Sequence, residues 1–192
     1  MNKFPQKDLE ETVQHLKNGG LILYPSDTVW ALGCDAENEA AVSKIASIKG
    51  LSSHSPFVIL VSNLKMLQYY VPQLPPKALN LIEFYERPMT ILYRNSCNLP
   101  DMLKSEDGLV AIRFCREPFC SSFINAFGKA VVATLPVRKN EPVPKSYKEI
   151  SDDIKNGVDY SVTYNRNAKN DGAPSTMVSL DENNELVFLR KG

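Results

Sequence analysis

The chain has 192 residues, 43% of them hydrophobic and 23% charged, which suits a globular protein and excludes collagen-like, coiled-coil and disordered classes. Its 22 Lys and Arg balance 22 Asp and Glu, so there is no uniform basic field that would by itself point to nucleic acid or an anionic membrane. No apolar run approaches the ~20 residues that cross a bilayer, and the first eight residues lack the apolar stretch of a secretory signal. One cytoplasmic domain over 1–192, without a membrane partner, is therefore expected.

In chain order, Leu9, Val13 and Leu16 fall on one helical face between Pro5 and Gly19-Gly20, which predicts a first helix with a glycine stop. Residues 21–24 form an apolar run too short for a helix and read as a buried strand. Asn38 caps a second helix with Val42, Ile45 and Ala46 inward, and residues 57–61 make the next strand. Helices are predicted over 62–70 and 76–85, then a strand over 89–93. A strand over 109–114, a helix over 118–127 bearing Phe119, Phe123 and Phe127, and a strand over 130–134 continue the alternation.

Residues 135–145 hold three prolines and three cationic residues and read as a loop or flap. Ser146-Tyr147-Lys148-Glu149 has the capping-box spacing of a helix start. The tail is strand-rich, over 160–164, 176–180 and 185–190, with a turn at 181–184, while the polar stretch 165–173 is a second mobile candidate. Alternation early and a closing hairpin late predict an α/β fold with a twisted mixed sheet, partly parallel and partly antiparallel, and helices packed on it.

Several chemistries lack their parts. There are nine glycines but no GxxxxGK[ST] or GxGxxG, and two histidines, His15 and His54, with no HExxH. Both histidines are expected exposed and unpaired, and no protein metal site is expected. Cys34, Cys97, Cys115 and Cys120 have no CxxC spacing and read as free, mostly apolar side chains.

What remains is polar residues just after or within buried strands. The run Tyr24-Pro25-Ser26-Asp27-Thr28 leaves the first strand, where α/β sheets build ligand crevices; its hydroxyls either receive an anion or close a turn on their own backbone. Lys49 ends a helix beside Gly50, where it either complements the helix dipole or meets a ligand. Arg113 interrupts Val110-Ala111-Ile112-Arg113-Phe114, on a face opposite Val110, Ile112 and Phe114, so it either faces solvent or lines a cleft.

The string Tyr24-Pro25-Ser26-Asp27-Thr28-Val29-Trp30-Ala31-Leu32-Gly33-Cys34-Asp35 resembles the YPTDTVYGLGCD signature of the YrdC/YciO family. Further segments match in order. Ile48-Lys49-Gly50 resembles its IKGR element, Pro56 and the strand after it the PL-strand, and Arg87-Pro88-Met89-Thr90-Ile91-Leu92 its GPLTLIL strand. Val110-Ala111-Ile112-Arg113 resembles VAVR, Pro174-Ser175-Thr176-Met177-Val178 the PSTVV segment, and Leu189-Arg190-Lys191-Gly192 the closing LRxG. The resemblance runs from about residue 10 to the end.

It implies a YrdC-like fold with a concave cationic cleft, and a relation to L-threonylcarbamoyladenylate synthase, which makes threonylcarbamoyl-AMP and pyrophosphate from threonine, bicarbonate and ATP for tRNA modification. ATP or another nucleotide with Mg2+, L-threonine or a similar small acid, and double-stranded RNA or tRNA are the implied cofactors and partners. Residue by residue, it places Thr28 at the amino-acid pocket, Thr90 on its floor and Ser175 closing it, with Arg113 on the threonine carboxylate. Lys49 would meet the nucleotide phosphates, with Thr134 and Arg190 on the nucleotide side.

The chain departs from the synthase pattern KxR…SxN at two places. Leu51 stands where the arginine belongs, and Leu135-Pro136-Val137 replaces SxN; taking Thr134 as the serine equivalent still leaves Pro136 at the asparagine. Both departures put the chain closer to the YciO branch. Two functions follow: an ATP-dependent carboxylate or carbamate adenylyltransferase, with Arg87, Arg138, Lys139 and Lys145 as replacement cations for the lost anchors, or a module that binds nucleotide or RNA without turnover, with the cations of 135–148 on the RNA backbone.

Overall fold

The computed structural model describes residues 4–51, 57–138, 140–170, 172–181 and 185–192. His54, Pro56, Lys139 and the tip of the 181–184 turn, named above, lie outside these residues.

Helix α1 (Gln6–Lys17) starts after Pro5 and buries Thr12, Val13 and Leu16. The same face carries Asp8, an acid in the interior. Its carboxylate accepts from the Tyr160 hydroxyl at 2.7 Å, from the Thr163 amide and hydroxyl, and from the Tyr164 amide at 2.6 Å. Burial pushes its pKa up, but these donors outweigh burial and hold it below 3.8.

Strand β1 (Ile22–Pro25) is buried throughout and pairs antiparallel with β2 (Trp30–Gly33), so the polar run after Pro25 is a tight hairpin turn. The second arm of this hairpin is missing from the sequence-based expectation because Trp30-Ala31-Leu32-Gly33 is buried on both faces and shows no alternation. Gly33 is required there: a Cβ would lie 2.2 Å from the Val132 carbonyl oxygen and 2.7 Å from the Tyr24 ring.

Helix α2 (Glu39–Lys49) has the expected cap, with Asn38 accepting from the Ala41 amide and Gly50 at φ 64° ending it. Strand β3 (Val58–Val61) follows, then α3 (Leu64–Tyr70), capped by Asn63, and α4 (Pro76–Phe84). Next come β4 (Met89–Tyr93), β5 (Val110–Phe114), α5 (Pro118–Phe127) and β6 (Val131–Ala133). Phe119 and Phe123 of α5 are fully buried and pack with Phe4 and Tyr24, whereas Phe127 is half-buried.

The capping-box expectation fails at 146–149. Glu149 spends its carboxylate on the Lys145 amide and Ser146 hydroxyl, and only a single 3-10 turn forms before the five-residue α6 (Asp152–Asn156). The expected strand over 160–164 shrinks to β7 (Tyr160–Ser161), because the Thr163 and Tyr164 amides bond to Asp8 instead of a neighbouring strand. Strands β8 (Thr176–Leu180) and β9 (Leu186–Arg190) close the fold.

The strands form two mixed sheets rather than one. A three-stranded sheet has the order β2-β1-β7, and a six-stranded sheet the order β6-β3-β5-β4-β8-β9. Pairs β1/β7, β3/β5 and β4/β8 are parallel and the rest antiparallel. Bridges at Leu32↔Thr134 and Asp35↔Val131 stitch β2 to β6 and hold one sheet against the other.

The four cysteines are free and three are buried. His15 differs from expectation: it is half-buried, its ring stacked on Tyr160 at 5.2 Å and its Nε2 3.8 Å from Glu11. No described helix is long and apolar enough to cross a membrane.

Candidate functional site

The six-stranded sheet aligns one transverse row of side chains on a single face. Arg190 of β9 is opposite Met177 of β8, Met177 opposite Thr90 of β4, and Thr90 opposite Arg113 of β5. Three strand spacings of about 4.8 Å put the two arginine Cα atoms roughly 14 Å apart. Arg190 reaches this face only through a bulge. The pairing shifts between Met177↔Arg190 and Val178↔Phe188, so Leu189 is an extra residue; without it Arg190 would point to the opposite face.

This face floors a cleft of about 500 Å³. The hairpin turn of the small sheet, with Thr28 and Trp30, forms one wall, and the 172–175 segment with Leu135 and Val143 forms another. Trp30 is backed by the Tyr147 ring at 4.9 Å, over which the Arg166 guanidinium sits at 4.3 Å.

Arg113 is 6% exposed, which decides between the two sequence readings in favour of a cleft-lining cation. Its Nη1 donates to Asp27 Oδ1 at 2.6 Å and to Thr28 Oγ1 at 3.1 Å, while its Nε is buried and has no hydrogen-bond partner among the described residues. The turn satisfies itself through Ser26 alone: its hydroxyl donates to the Val29 carbonyl at 2.6 Å and accepts from the Thr28 amide. Asp27 is thereby left for Arg113, a partner 86 residues away that no local pattern announces.

At the other end of the row, the Thr90 and Ser175 hydroxyls are 2.8 Å apart, and the Arg190 guanidinium donates twice to the Ser175 carbonyl, at 3.0 and 3.1 Å. Gly192 packs on the same segment; a Cβ there would fall 2.3 Å from the Pro174 carbonyl oxygen.

Thr28, Arg113, Thr134, Ser175 and Arg190 thus line one cleft, and Thr90 lies beneath it, fully buried, touching it through Ser175. Lys49 stands apart. Its ammonium donates to the carbonyls of Leu135 and of Val137, the latter at 2.9 Å, and it does not line the cleft. Burial lowers its pKa to about 8, against the opposing pull of Glu141.

Sequence reasoning missed Asp27 as a partner, and it missed the apolar lining made by Trp30, Leu135, Val143 and Met177. Among the described residues the lining offers hydroxyls and two guanidiniums. Hydroxyls and guanidiniums suit binding, orientation and charge neutralisation. Among the described residues no group of three or more His, Cys, Asp or Glu could hold a metal ion.

Two bridged mixed sheets enclosing an arginine-floored cleft define an α/β protein whose site lies on a sheet face. The family model Sua5_yciO_yrdC, described as "Telomere recombination", matches residues 14–192, and the chain belongs to that family. The threonylcarbamoyl-AMP synthase of Halorhodospira halophila is 29% identical over 139 residues, 70% of this chain and 73% of that protein. The Acinetobacter baumannii enzyme of the same name is 30% identical over 131 residues, 65% of this chain and 69% of its own.

Among solved structures, E. coli YciO superposes with a TM-score of 0.82 at 24% identity, covering 98% of this chain and 90% of that one. P. abyssi Sua5 complexed with L-threonine gives 0.86 at 21% identity, covering 98% of this chain but 55% of that one, so this chain spans little more than half of that protein. These two likenesses establish the fold.

Proposed function

We propose that this chain acts as one domain that binds a small carboxylic acid of the L-threonine kind together with ATP or a related nucleotide. The observation that carries the reading is the buried Arg113 guanidinium, clamped on one side by Asp27 and Thr28 and left with an unpartnered buried donor beside an open cleft. A carboxylate is the group that a guanidinium fork takes in two-point fashion. The threonine complex of P. abyssi Sua5 and the synthase relatives support an acid and a nucleotide as the pair.

In this reading Arg113 and Thr28 hold the acid, Ser175, kept in place by Thr90, closes over it, and Arg190 and Thr134 face the nucleotide. The reaction that the family resemblance implies is attack of a carbamate oxygen on the α-phosphorus with pyrophosphate leaving, so the protein's part is to align two anions and neutralise charge. The described residues offer no cluster of three or more His, Cys, Asp or Glu for Mg2+, which would arrive on the phosphates.

Lys49 reaches a phosphate only by giving up the Leu135 and Val137 carbonyls. With Leu51 in place of an arginine whose charge-assisted hydrogen bond contributes roughly 1.5–3 kcal/mol, turnover is slower than in a synthase that keeps it by about ten- to a hundredfold, and Pro136 in place of the second anchor slows it further. Of the cations between 135 and 148 that RNA, the other partner the resemblance implies, would use, Arg138 is paired with Asp153.

The test is pyrophosphate release with ATP, threonine, bicarbonate and magnesium, alongside calorimetric titration of threonine, for the native chain, Lys49→Ala, and Arg113→Ala at a temperature where circular dichroism shows that variant folded. Arg113-dependent threonine binding with slow, Lys49-dependent release is the expected result. Binding without release leaves a non-catalytic module, and no Arg113-dependent binding overturns the reading.

A further inference from the structure

The cleft has a polar end and an apolar end, and the apolar end coincides with the lost SxN element. Leu135 is 38% and Val143 37% exposed, and both line the cleft, so this wall presents uncovered apolar surface to whatever enters. Its orientation has a cause. The carbonyls of Leu135 and Val137 are both turned onto the Lys49 ammonium, which removes the stretch's backbone acceptors from the cleft and leaves the Leu135 side chain facing it. Val58 and Ala133, opposite each other on β3 and β6, and Met177 on the floor extend the same apolar surface.

The cleft of about 500 Å³ also takes the nucleotide at Thr134 and Arg190 in the reading above, so it is the apolar character of this wall, not the volume, that bears on the acid's side chain. At the polar end the Ser26 hydroxyl is committed to the Val29 carbonyl, and the Thr90 and Ser175 hydroxyls to each other. A ligand hydroxyl reaching toward Leu135 and Val143 would lose water and meet carbon, whereas a hydrocarbon reaching the same wall would release water from both surfaces.

We propose that the cleft prefers acids carrying an apolar substituent over L-threonine, with the carboxylate at Arg113 and the substituent against Leu135 and Val143. This rests on the carboxylate reading of Arg113 given above and adds the class of acid.

The test is calorimetric titration of the native chain with L-threonine, L-valine, L-leucine and L-phenylalanine, which share one head group and differ only in the side chain. Burial at about fourfold per methylene predicts leucine about fourfold tighter than valine. Valine, whose methyl replaces a hydroxyl that would lose water, should bind tighter than threonine by at least about as much, so leucine binds about tenfold tighter than threonine or more. A Leu135→Asn chain, checked for an unchanged melting profile, should narrow the leucine-to-threonine ratio to below about threefold. Threonine binding as tightly as leucine or tighter, lost in Arg113→Ala, overturns this inference and leaves the carboxylate site standing. If no acid in the series binds in an Arg113-dependent way, the carboxylate site itself falls, and the preference with it.

Discussion

The floor and the rim of the cleft are each built around a buried cation of the same 6% exposure, yet the two cations are held in opposite ways. Arg113 sits on a central strand between two hydrogen-bonded neighbours and faces a carboxylate, Asp27. Lys49 sits at the last turn of a helix and faces two neutral carbonyls on a loop. An ion pair keeps a buried charge fixed, whereas carbonyl dipoles offset only part of the loss of water, so the lysine's pKa drops to about 8. The floor is therefore an electrostatic fixture and the rim an adjustable one.

Five substitutions test this contrast. The largest effect belongs to the floor: Arg113→Met strands the half-buried Asp27 carboxylate and should cost about 3–5 kcal/mol in urea denaturation. Adding Asp27→Asn should restore at least about half of that loss. If Arg113→Met alone changes stability by less than about 1 kcal/mol, the pair is not the fixture described.

Asp8, a second buried charge that is fully hydrogen-bonded, is the comparison outside the cleft. Asp8→Asn should cost about 2–3 kcal/mol. Since its folded pKa is lowered, the native chain binds fewer protons there than the unfolded chain. The stabilisation is complete above 3.8 and is lost as pH falls through the folded value, so the acid limb of stability should flatten in the variant.

Thr90→Val removes one neutral hydrogen bond from the floor while Arg190 still holds the Ser175 carbonyl; about 1 kcal/mol is expected from thermal denaturation.

Lys49→Met should have the smallest effect at pH 7, under about 1 kcal/mol, because desolvation of the ammonium offsets its two hydrogen bonds. Its signature is instead a sign. A lysine lowered from 10.5 to about 8 on folding lets the unfolded chain bind more protons between those values, so native stability should rise relative to the variant over that window. Faster proteolysis within 135–145 in Lys49→Met should accompany it, and equal cleavage rates would mean that Lys49 does not hold the rim.

Local signals explain how much of this could be read in advance. Asn38 and Gly50 bracket α2 because an amide side chain and a left-handed glycine are terminal devices that act within a few residues. Arg113 could be singled out because one cation in Val110-Ala111-Ile112-Arg113-Phe114 breaks the strand's apolar run. Its burial could not be read, because the carboxylate that permits it comes from the far end of the motif turn. Strand β2 went unseen because its burial on both faces removes the alternation by which strands are read.

The alternation of elements, the family and the cast of polar residues are written along the chain, since periodicity, caps and ordered motifs are properties of neighbouring residues. Tertiary structure decided which of those residues meet. The extra residue at Leu189 turns Arg190 onto the cleft face, and it exists only in the pairing of two strands. Lys49 finds its carbonyls 86 and 88 residues away, and Asp27 its arginine at 86. Charge and hydrogen-bond partners at such separations are chosen by sheet register and burial, quantities that take a value only once the chain has folded.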